Sequence, residues 1–177
     1  LPLRGGESWS LSQNYTSCDS YVFLTNARNN SDLDSTSVWA RDIDQLFWRS
    51  PPNVHYFFVP ARSVADAPAE IEALAQLMDK SLAATDEATR DYWAPRMHIA
   101  GVHSSALGNW LTTILAGQGR AGFAIDRRQQ VRLMGSFADV TRYKSELKAA
   151  DKWPWENNMS YAAHEARQYN YEAKRDA

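Results

Sequence analysis

Two short apolar runs, joined by a segment with helical periodicity, constrain the fold more than any other feature of the chain. The runs at residues 21–24 and 54–59 are rich in aromatic and β-branched side chains, which are typical of buried strands. Between them, apolar residues recur at the spacing of one helix face, at Trp39, Ile43, Leu46 and Phe47. A strand, a crossover helix and a second strand predict a parallel pair with a right-handed connection. Because both runs are apolar almost throughout, we expect a sheet that is covered on both faces.

Further elements are predicted on either side of this unit. Residues 8–12 alternate between polar and apolar side chains, which indicates a short edge strand. Residues 71–82 carry an apolar side chain at every third or fourth position and predict a long helix, with Asp66 as its N-cap. A shorter helix is predicted at residues 87–93, and the apolar run at 97–102 predicts a short third strand.

The last elements with a clear pattern are a helix and a hairpin. Residues 107–115 carry the clearest amphipathic stripe of the chain, with Ser104 or Ser105 as the predicted N-cap. Two apolar runs, at residues 122–126 and 131–137, flank a short polar tip and predict an antiparallel hairpin. Strands that alternate with helices in this order are typical of an α/β domain.

Composition excludes several classes of function. The formal net charge of −2 gives no excess of the basic residues that phosphate binding needs, so we do not expect a nucleic-acid partner. No apolar run approaches the roughly 20 residues of a membrane span. Cys18 is the only cysteine, which excludes an internal disulfide and a CxxC redox pair. The sequence leaves the compartment open, secretion and a bacterial periplasm included.

One motif, together with the order of elements, resembles the thioredoxin-like fold in its redoxin branch. Residues 122–127 (GFAIDR) run into residues 130–132 (QVR), and this stretch is similar to the "FLIDRDGRI" hairpin of that family. The entry segment at residues 6–12 is a weaker likeness. The resemblance covers residues 5–150. It implies an α/β sandwich with a central mixed sheet, helices on both faces and a C-terminal antiparallel hairpin.

The residues that carry the chemistry of that family have no counterpart in this chain. The family places its catalytic cysteines at the N-terminus of the first crossover helix, where the helix dipole lowers a thiol pKa. The matching residues 34–39 contain no cysteine, and no proline stands near Arg120, where the family's cis-proline would fall. Cys18 precedes the first strand, which is the wrong end for this chemistry. We therefore predict a redox-inactive thioredoxin-like module, without cofactor or metal, that serves as a binding or structural accessory domain.

The partner is expected to be a protein domain, in the same full-length chain or in another protein. We assign the module to residues 1–151 and a helical extension or linker to residues 152–177. Open α/β sheets bind ligands beyond the carboxyl ends of their parallel strands. The loop at residues 26–37 lies at that edge and is long for a strand-to-helix connection. The predicted contact residues at this edge are Arg28, Asp32, Asp34, Trp39 and Arg120.

Two enzymatic alternatives remain open at this stage. One is an enzyme on the same scaffold with a non-thiol site, near Asp34, Ser35, His98 and His103. The other is a one-cysteine peroxidase that uses Cys18, although the neighbouring Asp19 does not favour a thiolate. Together with His55, the two histidines would make a conceivable metal site. Their spacing matches no known ligand pattern, so we predict core or surface histidines instead.

Overall fold

A five-stranded mixed sheet forms the centre of the molecule. The structure is a computed structural model and describes residues 1–16, 18–26, 43–50, 52–108, 110–115, 122–126 and 129–135. The strands are β1 (Ser20–Thr25), β2 (Val54–Val59), β3 (Met97–Ile99), β4 (Gly122–Ile125) and β5 (Val131–Gly135). Their order in the sheet is β3-β2-β1-β4-β5. The first three are parallel, and β4 and β5 form an antiparallel hairpin beside β1. The predictions of an α/β fold, a mixed sheet and a final hairpin are confirmed.

Five α-helices and two short 3₁₀ turns accompany the sheet in the described residues. The helices are α1 (Leu11–Asn14), α2 (Ile43–Arg49), α3 (Ala67–Ala83), α4 (Glu87–Trp93) and α5 (Trp110–Leu115). The 3₁₀ turns are Ala94–Arg96 and Ser104–Ala106. Pro68 lies in the first turn of α3, where its missing N–H costs no hydrogen bond.

One face of the sheet packs against α2, α3 and α4. Side chains alternate between the two faces of a strand, so Val22 of β1 and Tyr56 and Phe58 of β2 point the same way. The helices cover them with Ile43, Leu46, Phe47, Ile71, Leu74, Met78 and Trp93, all buried. The described residues of the apolar stripes predicted for α2 and α3 therefore face the core.

The opposite face carries an aromatic cluster. It consists of Trp9, Tyr21, Phe23, Phe57 and Phe123, with Leu111 and Leu115 of α5 packed against it. The ring of Phe23 stacks on Phe57 and on Phe123, with centroids 4.7 and 4.6 Å away. Hydrophobic clusters thus lie on both sides of the sheet, as the almost uninterrupted apolar strands predicted.

The prediction of a strand at residues 8–12 is wrong. Leu11 begins the short helix α1, and Trp9 packs in the aromatic cluster instead of pairing in the sheet. Leu3, farther toward the N-terminus, bridges Ala100, next to the end of β3. At Gly101 a Cβ would lie only 2.8 Å from the carbonyl oxygen of Leu3, so the close approach of the two segments needs glycine there.

Asp66 stands at the N-cap position of α3, as predicted, although its side chain makes no capping hydrogen bond. The predicted cap of α5 is wrong. Ser104 and Ser105 lie within a 3₁₀ turn that His103 caps, and α5 starts only at Trp110. Asp86, in contrast, accepts a hydrogen bond from the backbone N–H of Thr89 and caps α4.

Other predictions fall on residues that the structure does not describe. They are the greater part of the loop at 26–37 and the extension at 152–177. Within the described part of the chain, no helix combines the length and the apolar character of a membrane span.

Candidate functional site

The carboxyl edge of the parallel strands is where the sequence predicted a contact surface. Its five predicted contact residues lie outside the described residues: Arg28, Asp32, Asp34, Trp39 and Arg120. The same is true of Ser35, which belonged to the enzymatic alternative. What the structure shows of this edge is the end of β1 and the segments that follow β2 and β3.

The side chain of Asn26 connects the end of β1 to the segment that follows β2. Its buried side chain accepts hydrogen bonds from the backbone N–H groups of Ala61 (2.7 Å) and Arg62 (3.2 Å). Its amide nitrogen donates to the carboxylate of Glu70 in α3, at 2.7 Å. A buried amide that satisfies two backbone donors fixes the loop after β2 against the end of β1. In the described part of the carboxyl edge, hydrogen bonds of a buried side chain therefore hold the chain segments together.

The opposite, amino edge of the sheet holds a group of buried polar side chains that the sequence did not predict. Asp19, directly before β1, has no exposed surface. Its carboxylate accepts a hydrogen bond from the hydroxyl of Thr16 at 2.6 Å, and its own backbone N–H donates to that hydroxyl oxygen at 3.1 Å. A tight polar turn therefore positions a carboxylate against the first residues of β1 and β2.

His55 of β2 and His98 of β3 face each other on the aromatic side of the sheet. Their Nδ1 and Nε2 atoms, respectively, lie 3.1 Å apart. The ring planes differ by 12°, and the centroids are 5.4 Å apart. The distance between the ring centroids equals the distance between the two nitrogens plus about one ring radius for each ring. Both nitrogens therefore lie on the line that joins the two centroids. The contact is an imidazole–imidazole hydrogen bond, in which one ring donates and the other accepts.

The other nitrogen of His55 lies near the buried carboxylate. His55 Nε2 lies 3.7 Å from Asp19 Oδ2, within ion-pair distance when the ring is charged. Asp19, His55 and His98 thus form a row across three neighbouring segments of the chain. We name these three residues the Asp-His-His row.

Aromatic rings lie next to the His98 end of this row. His98 stacks on Phe57 with centroids 4.4 Å apart and ring planes 11° apart, and Trp9 lies beyond it at 6.5 Å. Burial, together with the positive charges of His55 and Arg96, lowers the pKa of His98 to about 3. His98 is consequently neutral at physiological pH.

Arg96 contributes a second buried charge near this edge. Its guanidinium lies over the ring of Tyr92, 3.8 Å from the centroid, and Nη1 donates to the carbonyl oxygen of the same residue at 2.8 Å. The Nε–H group has no hydrogen-bond partner among the described residues. This fixed cation opposes a further positive charge on His98.

The third histidine of the conceivable metal set has a different partner. His103 Nδ1 accepts a hydrogen bond from the backbone N–H of Ser105 at 3.1 Å and contacts its hydroxyl at 2.8 Å. Among the described residues, no three His, Cys, Asp or Glu side chains converge as metal ligands would. The structure thus pairs His98 with His55, whereas the sequence had grouped it with His103 as well.

Cys18 also lies at the amino edge and is buried. Its backbone N–H donates to Thr16 Oγ1 at 3.2 Å, and its carbonyl oxygen accepts from Asn53 Nδ2 at 2.8 Å. The thiol therefore precedes β1, at the opposite end of that strand from the crossover connection that leads to α2.

Comparisons of the chain with protein-family models, with curated proteins and with solved structures find no match.

Proposed function

We propose that the chain is a redox-inactive thioredoxin-like module that binds a protein partner. The observation that carries this proposal is the place of the only cysteine. Cys18 is 7 % exposed and precedes β1, next to the buried carboxylate Asp19. Nucleophilic thiols need an electropositive and accessible setting in which the thiolate forms. Cys18 has the reverse setting, because it is buried and the next residue in the chain is acidic.

The order of elements supports the thioredoxin-like part of the proposal. A βαβ unit leads through α3 and β3 to α5 and then to an antiparallel hairpin beside β1. This is the order of elements on which the resemblance to the redoxin branch rests. The hairpin contains Ile125 and Asp126, the centre of the motif that resembles the family's hairpin.

The hypothesis of a non-thiol enzyme has less support. Of its four proposed residues, Asp34 and Ser35 lie outside the described residues, and Nε2 of His98 is hydrogen-bonded to His55. His103 serves as the cap of a 3₁₀ turn. No observation on the described residues favours this enzyme over a binding module.

A test of the thiol separates the module from the one-cysteine peroxidase. The full chain should neither consume hydrogen peroxide nor reduce insulin disulfides, and Cys18→Ser should leave both rates unchanged. Because the thiol is buried, its reaction with a maleimide should be at least about 100-fold slower in the native protein than in urea. A peroxide turnover that Cys18→Ser abolishes would overturn the proposal.

The location of the partner surface is tested by charge reversal at the predicted edge. With the chain as bait in a proximity-labelling experiment, Asp34→Lys combined with Arg120→Glu should lose the proteins that the wild type captures. A comparison variant reverses two charges at the hairpin tip, Arg127→Glu with Arg128→Glu, and should keep the captured proteins. If the comparison variant loses the captured proteins and the edge variant retains them, the contact surface lies at the hairpin.

A further inference from the structure

When both histidines are neutral, the hydrogen atom between them is bonded to one of the two facing nitrogens in preference to the other. If it belonged to His55 Nδ1, His55 Nε2 would turn a lone pair toward the carboxylate of Asp19, 3.7 Å away. If it belongs to His98 Nε2, His55 carries its hydrogen on Nε2 and directs it at that carboxylate. The second arrangement is electrostatically favoured, so both neutral rings carry their hydrogen on Nε2.

Only one further proton fits into this arrangement. Two protonated rings would bring N–H groups into opposition across 3.1 Å and would lose the hydrogen bond between them. With a single proton, one ring is charged and still donates to the other. The charge is more stable on His55, because this ring faces the Asp19 carboxylate, whereas His98 lies against Phe57 and is repelled by Arg96.

We propose that His55 and His98 form one proton-binding site, which takes up a single proton as the pH falls and holds it on His55, beside the carboxylate of Asp19. In this step a solvent proton ends on His98 Nδ1, and the hydrogen on His98 Nε2 passes to His55 Nδ1. His98 remains neutral but exchanges one tautomer for the other. The amino edge of the sheet thereby becomes sensitive to acid. The added charge on His55 has the carboxylate of Asp19 as its counter-ion.

The groups that surround the pair are compatible with this site. From β1 and the turn before it, Asp19 and Tyr21 face His55, with the phenol ring 5.6 Å away. Burial raises the pKa of Tyr21 to about 12, so its phenol stays neutral throughout the relevant range. From the turn before β3, Arg96 adds a fixed positive charge. Asp19 is thus the anion that the structure shows facing the pair.

Long-range ¹H–¹⁵N NMR of the labelled full chain between pH 8 and pH 4 tests the proposal, because it distinguishes the two imidazole tautomers from the cation. His98 should change from the Nε2–H to the Nδ1–H tautomer at the same midpoint at which His55 becomes a cation. His103→Gln, which removes a histidine outside the row, identifies the signals and should leave this midpoint unchanged. An imidazolium signal from His98 in the folded protein would overturn the proposal, and so would an unchanged tautomer while His55 becomes charged.

The role of the carboxylate is tested separately. In Asp19→Asn, the midpoint of proton uptake by the pair should fall, because the opposite charge next to His55 is removed. A folded Asp19→Asn protein with an unchanged midpoint would contradict the placement of the charge. Where this variant does not fold, the tautomer change in the wild-type chain decides the question by itself.

Discussion

Between pH 7 and pH 5, the stability advantage of the wild-type chain over His98→Gln should shrink by about 2 kcal/mol. Glutamine places an amide near the position of the imidazole Nε2 but does not titrate. The effect comes from His98, because burial lowers its pKa from the ordinary histidine value of 6.5 to about 3 in the folded chain.

The direction of the change follows from which state binds the proton first. As the pH falls below about 6.5, the unfolded chain protonates His98, whereas the folded chain leaves it neutral. The stabilising contribution is therefore complete above this pH and is lost as the pH falls toward 3. The slope is about 1.4 kcal/mol for each pH unit at full effect.

Urea denaturation of both proteins at several pH values measures this difference. His103→Gln is the matched control, because it removes a histidine that caps a 3₁₀ turn outside the row. This control should lose stability with falling pH as the wild type does. A wild-type chain and a His98→Gln variant with parallel pH profiles would show that His98 is not held neutral by the fold.

The elements that the sequence predicted well are those with a strong local signal. β2 spans Val54–Val59, as predicted, because six consecutive apolar or aromatic residues leave few other ways to bury them. The buried stripe of α3 follows the 3.6-residue period in the same way. The error at residues 8–12 arose because alternation over five residues is short. In this segment the backbone N–H of Asn14 donates a hydrogen bond to the carbonyl oxygen of Ser10, which forms a helical turn.

The Asp-His-His row could not be predicted from the sequence, for a different reason. His55 and His98 are separated by 43 positions in the chain, and their contact depends on the register between β2 and β3. Register is determined by packing across the whole sheet, such as Phe57 opposite His98, and no local pattern encodes it. The sequence named both histidines as candidate ligands. It gave no sign that Asp19 would stand next to one of them.

Replacing Phe57 by alanine should lower the free energy of unfolding by roughly 3–5 kcal/mol, the usual cost of removing a buried phenylalanine. Phe57 has no exposed surface and contacts Phe23, Trp9 and His98, with ring centroids 4.7, 4.4 and 4.4 Å away. Urea denaturation measures the loss. Trp48→Ala, at a tryptophan that is 60 % exposed, should change the stability by less than about 0.5 kcal/mol. A loss below 1 kcal/mol at Phe57 would contradict the described core.

The neighbouring phenylalanine makes this experiment specific for the histidine row. Phe58 is equally buried but points to the opposite face of the sheet, among the side chains of α3 and α4. Phe58→Ala should therefore cost a similar free energy and keep the pH dependence that His98 produces. Phe57→Ala opens the wall against which His98 stacks, so water should reach the imidazole and move its pKa back toward 6.5. The pH dependence should then weaken in Phe57→Ala alone. Equal weakening in both variants would mean that general loosening of the sheet, and not the aromatic wall, releases His98.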